Sequence, residues 1–335
     1  KAVEYMNRKL FCIIFLILDI VLGITLFVFN FIPSIREKII LSSIDSNKWL
    51  VYTLYSEDTV SKVINNKNQV KLENTKDLDK IVVESKPLQI IESEYDEAIL
   101  TKDNDDYKLL NITVGGYKAY LVAIYDPSKV ELIHSKTFNT GTGQEKIKDM
   151  CARSGGLVCI NGGMFVDNGL GSDIPMGYLI KNGKVLWRDN YNSASLIGFT
   201  NDNKLLLINA TAEEAIKKGM RDALEFGPFL IVNGKRIDNN DAVGGFRRAA
   251  RVAIAQRKDG IVLFLVTEGN HSSGPTMGDI TDTLLNYGAY NAANLDGGAS
   301  SQLAINGELI NNPKNIYGQT VVGGRSVVSG FGLIP

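Results

Sequence analysis

The spacing of apolar and polar positions divides the chain into three stretches. Leu10 to Ile32 is a 23-residue apolar run broken only by Asp19, Asn30 and small residues, long enough at about 1.5 Å per residue to cross about 30 Å of hydrocarbon. It predicts one N-terminal transmembrane helix behind a short tail, residues 1–9. A cleaved signal peptide would have an apolar region of about 7 to 15 residues and then a small-residue cleavage site, and Phe27 to Pro33 offers none. Arg8 and Lys9 precede the run, while Arg36 and Lys38 follow it beside Glu37. This weak positive-inside bias orients the N-terminus inside and the bulk of the chain outside. Residues 33–108 are polar with scattered short apolar runs such as Trp49 to Leu54, and they read as a juxtamembrane stalk or linker closed by Asp103-Asn104-Asp105-Asp106.

From Leu109 to Pro335 the pattern is that of a folded domain. Tyr117 to Ile124 predicts the first solid strand, Glu145 to Ser154 has helical spacing, and Gly156 to Ile160 is a short buried strand. Hairpins turn at Asn182-Gly183 within Tyr178 to Trp187, at Asn233-Gly234 within Phe229 to Ile237, and at Asn306-Gly307 within Gln302 to Ile310. Further strands are expected at Ser195 to Phe199, Leu205 to Ile208, Arg251 to Gln256, Gly260 to Thr267, Ala292 to Leu295 and Val327 to Ile334. Thr211 followed three residues on by Glu214 makes a capping box for a helix ended by Gly219, and Asp279 to Tyr287 is a helix stopped by Gly288. The expected fold class is α+β, a mixed, largely antiparallel sheet with packed helices.

Composition narrows the function. With 44% hydrophobic and 22% charged residues and a net charge of -1, the chain folds and carries no basic field for nucleic acid. Cys12 lies in the span, which leaves Cys151 and Cys159 as the only internal pair. Cys159 sits in the apolar run Leu157 to Ile160, where a buried free thiol is the plainer expectation and a disulfide the alternative. Two histidines, His134 and His271, cannot build a zinc cluster alone.

Two glycine-rich loops each follow a buried strand: Asn161-Gly162-Gly163-Met164-Phe165 and Asp296-Gly297-Gly298-Ala299-Ser300-Ser301. Paired glycines let backbone N–H groups approach a ligand closely, and consecutive N–H groups form concavities that hold phosphate. Either pair alone is also what a tight turn requires. Arg248, Arg251 and Arg325 could grip phosphate oxygens with their planar forks. Asp296, Glu268 and Asp279 are the candidate catalytic carboxylates. They could also supply oxygen ligands, so a divalent cation is a candidate cofactor. The plain alternatives are surface ion pairs for the arginines, a strand-end charge for Glu268 and a helix N-terminal charge for Asp279.

In order along the chain, Asp126-Pro127-Ser128, the Asn161 to Phe165 loop, Ile174-Pro175-Met176-Gly177, Phe226-Gly227-Pro228, Arg251-Val252-Ala253-Ile254 and Asn294-Leu295-Asp296-Gly297-Gly298 resemble the phosphodiester glycosidase family. That family includes an N-acetylglucosamine-1-phosphodiester α-N-acetylglucosaminidase of the lysosomal pathway and bacterial proteins of exopolysaccharide biosynthesis. The resemblance implies a site built from Asn161, Gly163, Gly177, Arg251, Asp296, Gly298, Ser300 and Ser301, with Gly162 and Gly297 in the same loops. It implies a hydrolase that removes a sugar from a phosphate-linked glycan of the cell envelope or an exopolysaccharide. Departures at Ala299, at Gln302-Leu303 and at Glu268-Gly269-Asn270 bear on substrate identity. The expected location is a single-pass cell membrane protein, anchored through residues 10–32, with an extracytoplasmic catalytic domain. Two other readings stand beside it: a non-catalytic membrane-anchored glycan-binding or polysaccharide-assembly module, and a metal-dependent phosphodiesterase cutting the P–O bond.

Overall fold

The computed structural model describes residues 91–141, 145–166, 173–189, 194–237 and 248–335, with shorter pieces at 32–33, 35–36, 39–40, 48–57, 59–60, 63, 75 and 77–83. Apart from Ile32, the expected membrane span lies outside the described residues, as do Cys12 and Asp19. Among the described residues no helix is long and apolar enough to cross a membrane.

Contacts divide the chain into two units. In the smaller, Lys48–Leu54 forms helix α1, whose Val51 is buried together with Ile40, Tyr55 and Val60.

The larger unit, Leu72–Asp241 and Gly245–Pro335, is built from three sheets. The first has seven strands: β1 (Tyr107–Val114), β2 (Tyr117–Ile124), β13 (Val262–Thr267), β12 (Val252–Arg257), β14 (Ala289–Leu295), β10 (Phe229–Val232) and β11 (Lys235–Arg236), in that spatial order. The second runs β16 (Glu308–Leu309), β15 (Leu303–Ile305), β4 (Val158–Asn161), β17 (Ser329–Leu333) and β3 (Val130–His134). The third runs β6 (Lys184–Arg188), β5 (Tyr178–Lys181), β9 (Met220–Glu225), β7 (Ala194–Thr200) and β8 (Leu205–Ala210). Helices α2 (Glu94–Leu100), α3 (Ile147–Arg153), α4 (Ala212–Lys217) and α5 (Met277–Asn286) complete it.

Strands β12 and β13 are buried at every residue, which requires cover on both faces of their sheet. On one face Val122, Ile254 and Phe264 join Val158, Ile160 and Phe331 of the second sheet and Ile197 and Phe199 of the third in one core. Phe199 and Phe331 meet there edge to face, with ring centroids 6.0 Å apart. On the other face Leu121, Ala253 and Leu263 pack with Ile99 of α2 and Ile280 and Leu284 of α5. The apolar alternation within each strand thus decides which layer each side chain enters.

The three Asn-Gly turns form where expected, with φ of 52° and 68° at Asn182-Gly183, 54° and 76° at Asn233-Gly234, and 52° and 80° at Asn306-Gly307. Positive φ at both central residues is the turn that matches strand twist, and Asn-Gly adopts it at least cost. The Thr211–Glu214 capping box is present.

Four expectations need correction. Instead of one mixed sheet with helices, the unit is mostly β, and every strand pairing among the described residues is antiparallel. Strands β1, β3 and β9 were not expected. The stalk or linker expected over residues 33–108 is not spacer throughout: Ser93 caps α2, whose Ile99 and Leu100 are buried in the core. Finally, Cys151 and Cys159 form a disulfide rather than free thiols, since α3 lies against β4 with the Cα atoms 5.8 Å apart.

Candidate functional site

The site forms where chain segments leave strands of all three sheets. Asn161, the last residue of β4, is fully buried and uses both ends of its side-chain amide to join the two glycine loops. Its Nδ2 donates to the Asp296 carbonyl at 2.7 Å, and its Oδ1 accepts from the Gln302 N–H at 2.9 Å. Asp296 N–H in turn donates to the Gly162 carbonyl at 2.9 Å. Asp296 itself is half-buried at the end of β14.

The glycines bring backbone against backbone. A Cβ on Gly162 would lie 2.4 Å from Leu224, and one on Gly297 would lie 2.6 Å from the Ala250 carbonyl. Their amides are largely engaged within the fold: Gly162 N–H donates to the Ser329 carbonyl at 2.9 Å, Gly163 N–H to Ser329 Oγ at 3.2 Å, and Gly298 N–H to the Ala250 carbonyl at 2.8 Å. These three donors thus meet protein acceptors, because the loops pack so closely against neighbouring backbone.

Of the basic candidates, Arg251 is 8% exposed and immediately precedes β12. Its backbone N–H donates to Thr267 Oγ1 at 2.8 Å, which fixes the start of the strand. The Arg325 guanidinium stands 5.1 Å over the Phe165 ring, and its carbonyl accepts from Gln302 Nε2 at 2.9 Å, next to the Asn161 contact. Arg248 is exposed. Ser300 and Ser301 are buried, and Ser301 Oγ has no hydrogen-bond partner among the described residues.

The other two acids each have a partner in the fold, Glu268 on the segment that follows Thr267, the partner of Arg251. Asp279 closes a capping box on α5, its Oδ2 accepting from Thr276 N–H and Oγ1 at 2.8 Å each, and it packs against the Gly115 turn. Glu268 accepts from the Asn312 N–H at 3.0 Å. Both have structural partners consistent with their position on a helix start and a strand end. Among the described residues no three His, Cys, Asp or Glu side chains cluster to hold a metal ion.

Glu225 is the residue that sequence reasoning passed over. It ends β9, directly before Phe226-Gly227-Pro228. Its Oε2 is buried without a hydrogen-bond partner among the described residues. Gly177, with φ of +77°, lies so close that a Cβ there would sit 1.6 Å from that oxygen. Burial first, then the nearby Asp189 carboxylate, push the Glu225 carboxyl up to about 7, partly opposed by a hydrogen bond from Tyr178 backbone. The carbonyl of Glu225 accepts from Met164 N–H at 3.5 Å, which ties it to the Asn161 loop. The available signal was position: Glu225 abuts a motif already singled out.

Together these contacts give a half-buried carboxylate, a buried arginine and a second, protonatable acid on interlocked strand ends. Comparison with known proteins places the arrangement. The family model described as phosphodiester glycosidase matches residues 154–334. The SPbeta prophage-derived uncharacterized protein YomE of Bacillus subtilis (strain 168) is 30% identical over 269 residues, 76% of this chain, and the chain spans 41% of that protein's length. The catalytic domain of zebrafish N-acetylglucosamine-1-phosphodiester α-N-acetylglucosaminidase, auto-inhibited by its pro-peptide, shares the fold with a TM-score of 0.58 at 17% identity, over 69% of this chain and 82% of that one. The Asn161, Gly177, Arg251 and Asp296 segments all lie inside the matched span, and the chain belongs to the phosphodiester glycosidase family.

Proposed function

We propose that the chain is a hydrolase that cleaves a sugar from a sugar-1-phosphodiester on a cell-envelope glycan or exopolysaccharide, anchored through residues 10–32 with its catalytic domain outside. The observation that carries this reading is the hydrogen-bonded junction of Asn161, Gly162 and Asp296, which fixes the Asp296 backbone beside the strand that Arg251 opens. Glycosidic cleavage passes through an oxocarbenium-like state that a carboxylate stabilises or that water captures with a carboxylate as base. A phosphate leaving group departs as an anion, so an arginine that grips its oxygens lowers the barrier electrostatically. In this reading Asp296 acts at the sugar side, and Arg251 holds phosphate with help from Arg325 and Arg248. The Cys151–Cys159 disulfide supports an oxidising, extracytoplasmic setting. If a divalent cation takes part, Asp296 is the side chain positioned to meet it.

The test adds a panel of sugar-1-phosphodiesters to intact cells that carry the full-length chain and follows free sugar in the medium. Asp296→Asn should cut the rate by about 10²- to 10⁴-fold, in the range of a lost acid–base group. Arg251→Ala should lower kcat/KM by about 10²-fold or more. Sugar release only after the cells are broken would move the site inside. Wild-type rates in both variants would remove these residues from the chemistry.

A further inference from the structure

The reading above leaves a buried acid without a task. Glu225 stands at the meeting of the Asn161 loop and the Gly177 turn: its carbonyl holds Met164 N–H, and its side-chain Oε2 faces the Gly177 backbone. The Asn161 loop in turn borders the Asp296 segment, through the Asn161 and Gly162 contacts. The carboxyl receives a hydrogen bond from the Tyr178 backbone, yet its Oε2 has no partner among the described residues. Buried polar atoms are normally satisfied, so an exception beside a site calls for an explanation, and a catalytic role is one.

We propose that Glu225 is the proton donor to the departing phosphate, a role that rests on the glycosidase reading. The anomeric C–O bond breaks, and its electron pair goes to the phosphate oxygen. The Glu225 carboxyl proton passes to that phosphate, which leaves as the monoanion of a phosphomonoester. Water gives its oxygen to the anomeric carbon and its proton to Asp296. Loss of that proton to solvent and reprotonation of Glu225 complete the cycle.

The surroundings keep the proton in place before reaction. Asp189, whose segment hydrogen-bonds to Gly177 on both its N–H and carbonyl sides, faces Glu225 with a like charge. Tyr178 on β5 is the other titratable neighbour, and Arg188 stands 5.6 Å over the Tyr178 ring while pairing with Glu213. Among the described residues no cation acts on Glu225 itself. Held near 7 by burial and Asp189, the carboxyl is neutral in mildly acidic solution and does not repel an anionic diester. An ionised Glu225 would repel it.

The experiment compares the full-length wild type with Glu225→Gln and Glu225→Asp on an alkyl sugar-1-phosphodiester and on the 2,4-dinitrophenyl glycoside of the same sugar, whose leaving group needs no proton. Glu225→Gln should lose about 10²- to 10⁴-fold in kcat on the diester and stay within about tenfold of wild type on the activated glycoside. The wild type should lose kcat/KM above about pH 7, a limb absent in Glu225→Gln and kept, with partial activity, in Glu225→Asp. Equal losses on both substrates, or an unchanged diester rate and pH profile, would overturn the role while leaving the glycosidase reading standing. No sugar release by the wild type from any diester would bring down that reading itself, and the role with it.

Discussion

At the scale of residues, Gly177 and Glu225 explain each other. A Cβ at Gly177 would overlap the Glu225 carboxyl at 1.6 Å, and the glycine's φ of +77° is one that other residues adopt only with strain. Glu225 is also held at a cost to the fold. Its ordinary value of 4.5 rises to about 7 in the folded chain, so between those values the folded state binds more protons than the unfolded one. Stability therefore falls as pH rises through this window, and below about 4.5 the penalty is absent. Replacing the acid with Gln should stabilise the chain at pH 8 by up to about 3 kcal/mol and give no gain at pH 4, as read by chemical denaturation at the two pH values. An equal effect at both would place the stress in shape rather than charge. Asp296 and Asn161 were legible because each begins a glycine-rich loop after an apolar strand. Glu225 was not, since its raised pKa comes first from burial that no local pattern reveals and then from Asp189 on another segment.

At the scale of elements, the helix α5 separates a cap from a catalyst. Thr276 and Asp279 exchange hydrogen bonds reciprocally and satisfy N–H groups at the helix start. Thr276→Ala should cost about 1 kcal/mol. Asp279→Asn should weaken the cap in thermal denaturation and leave kcat on a diester within about twofold; a loss of 10²-fold or more would return Asp279 to the chemistry. Sequence reading succeeded for β12 and β13, whose unbroken apolar runs require burial, and for the Asn-Gly hairpins. It failed for β9 because Arg221 and Asp222 interrupt the apolar pattern. Asp222 is nonetheless fully buried, accepting from Asn182 N–H at 3.0 Å and pairing with Arg221. Strand β1 escaped because it is half-exposed at a sheet edge behind a charged run. Helix α2 escaped because seven residues carry too little periodicity.

At the scale of the whole molecule, three antiparallel sheets share one core, and the candidate site draws one segment or more from each of them. The sequence motifs marked these segments, but their convergence depends on long-range pairing, such as β12 with β14 and β4 with β17. The division into sheets was not legible for the same reason: strand alternation specifies faces, not partners. The Gly-Gly loops illustrate the difference. Their composition suggested amides open to phosphate, whereas the assembled fold uses those of Gly162, Gly163 and Gly298 to hold the loops within the protein.

The central claim is cleavage at the sugar side of a sugar-1-phosphodiester. Its most direct test is phosphorus NMR with mass spectrometry of the products formed by the purified full-length chain. The account predicts free sugar and a phosphomonoester, with solvent oxygen-18 appearing on the sugar and not on the phosphate, and loss of both products in Asp296→Asn. Sugar 1-phosphate with the label on phosphorus, or no product from any diester, would contradict it.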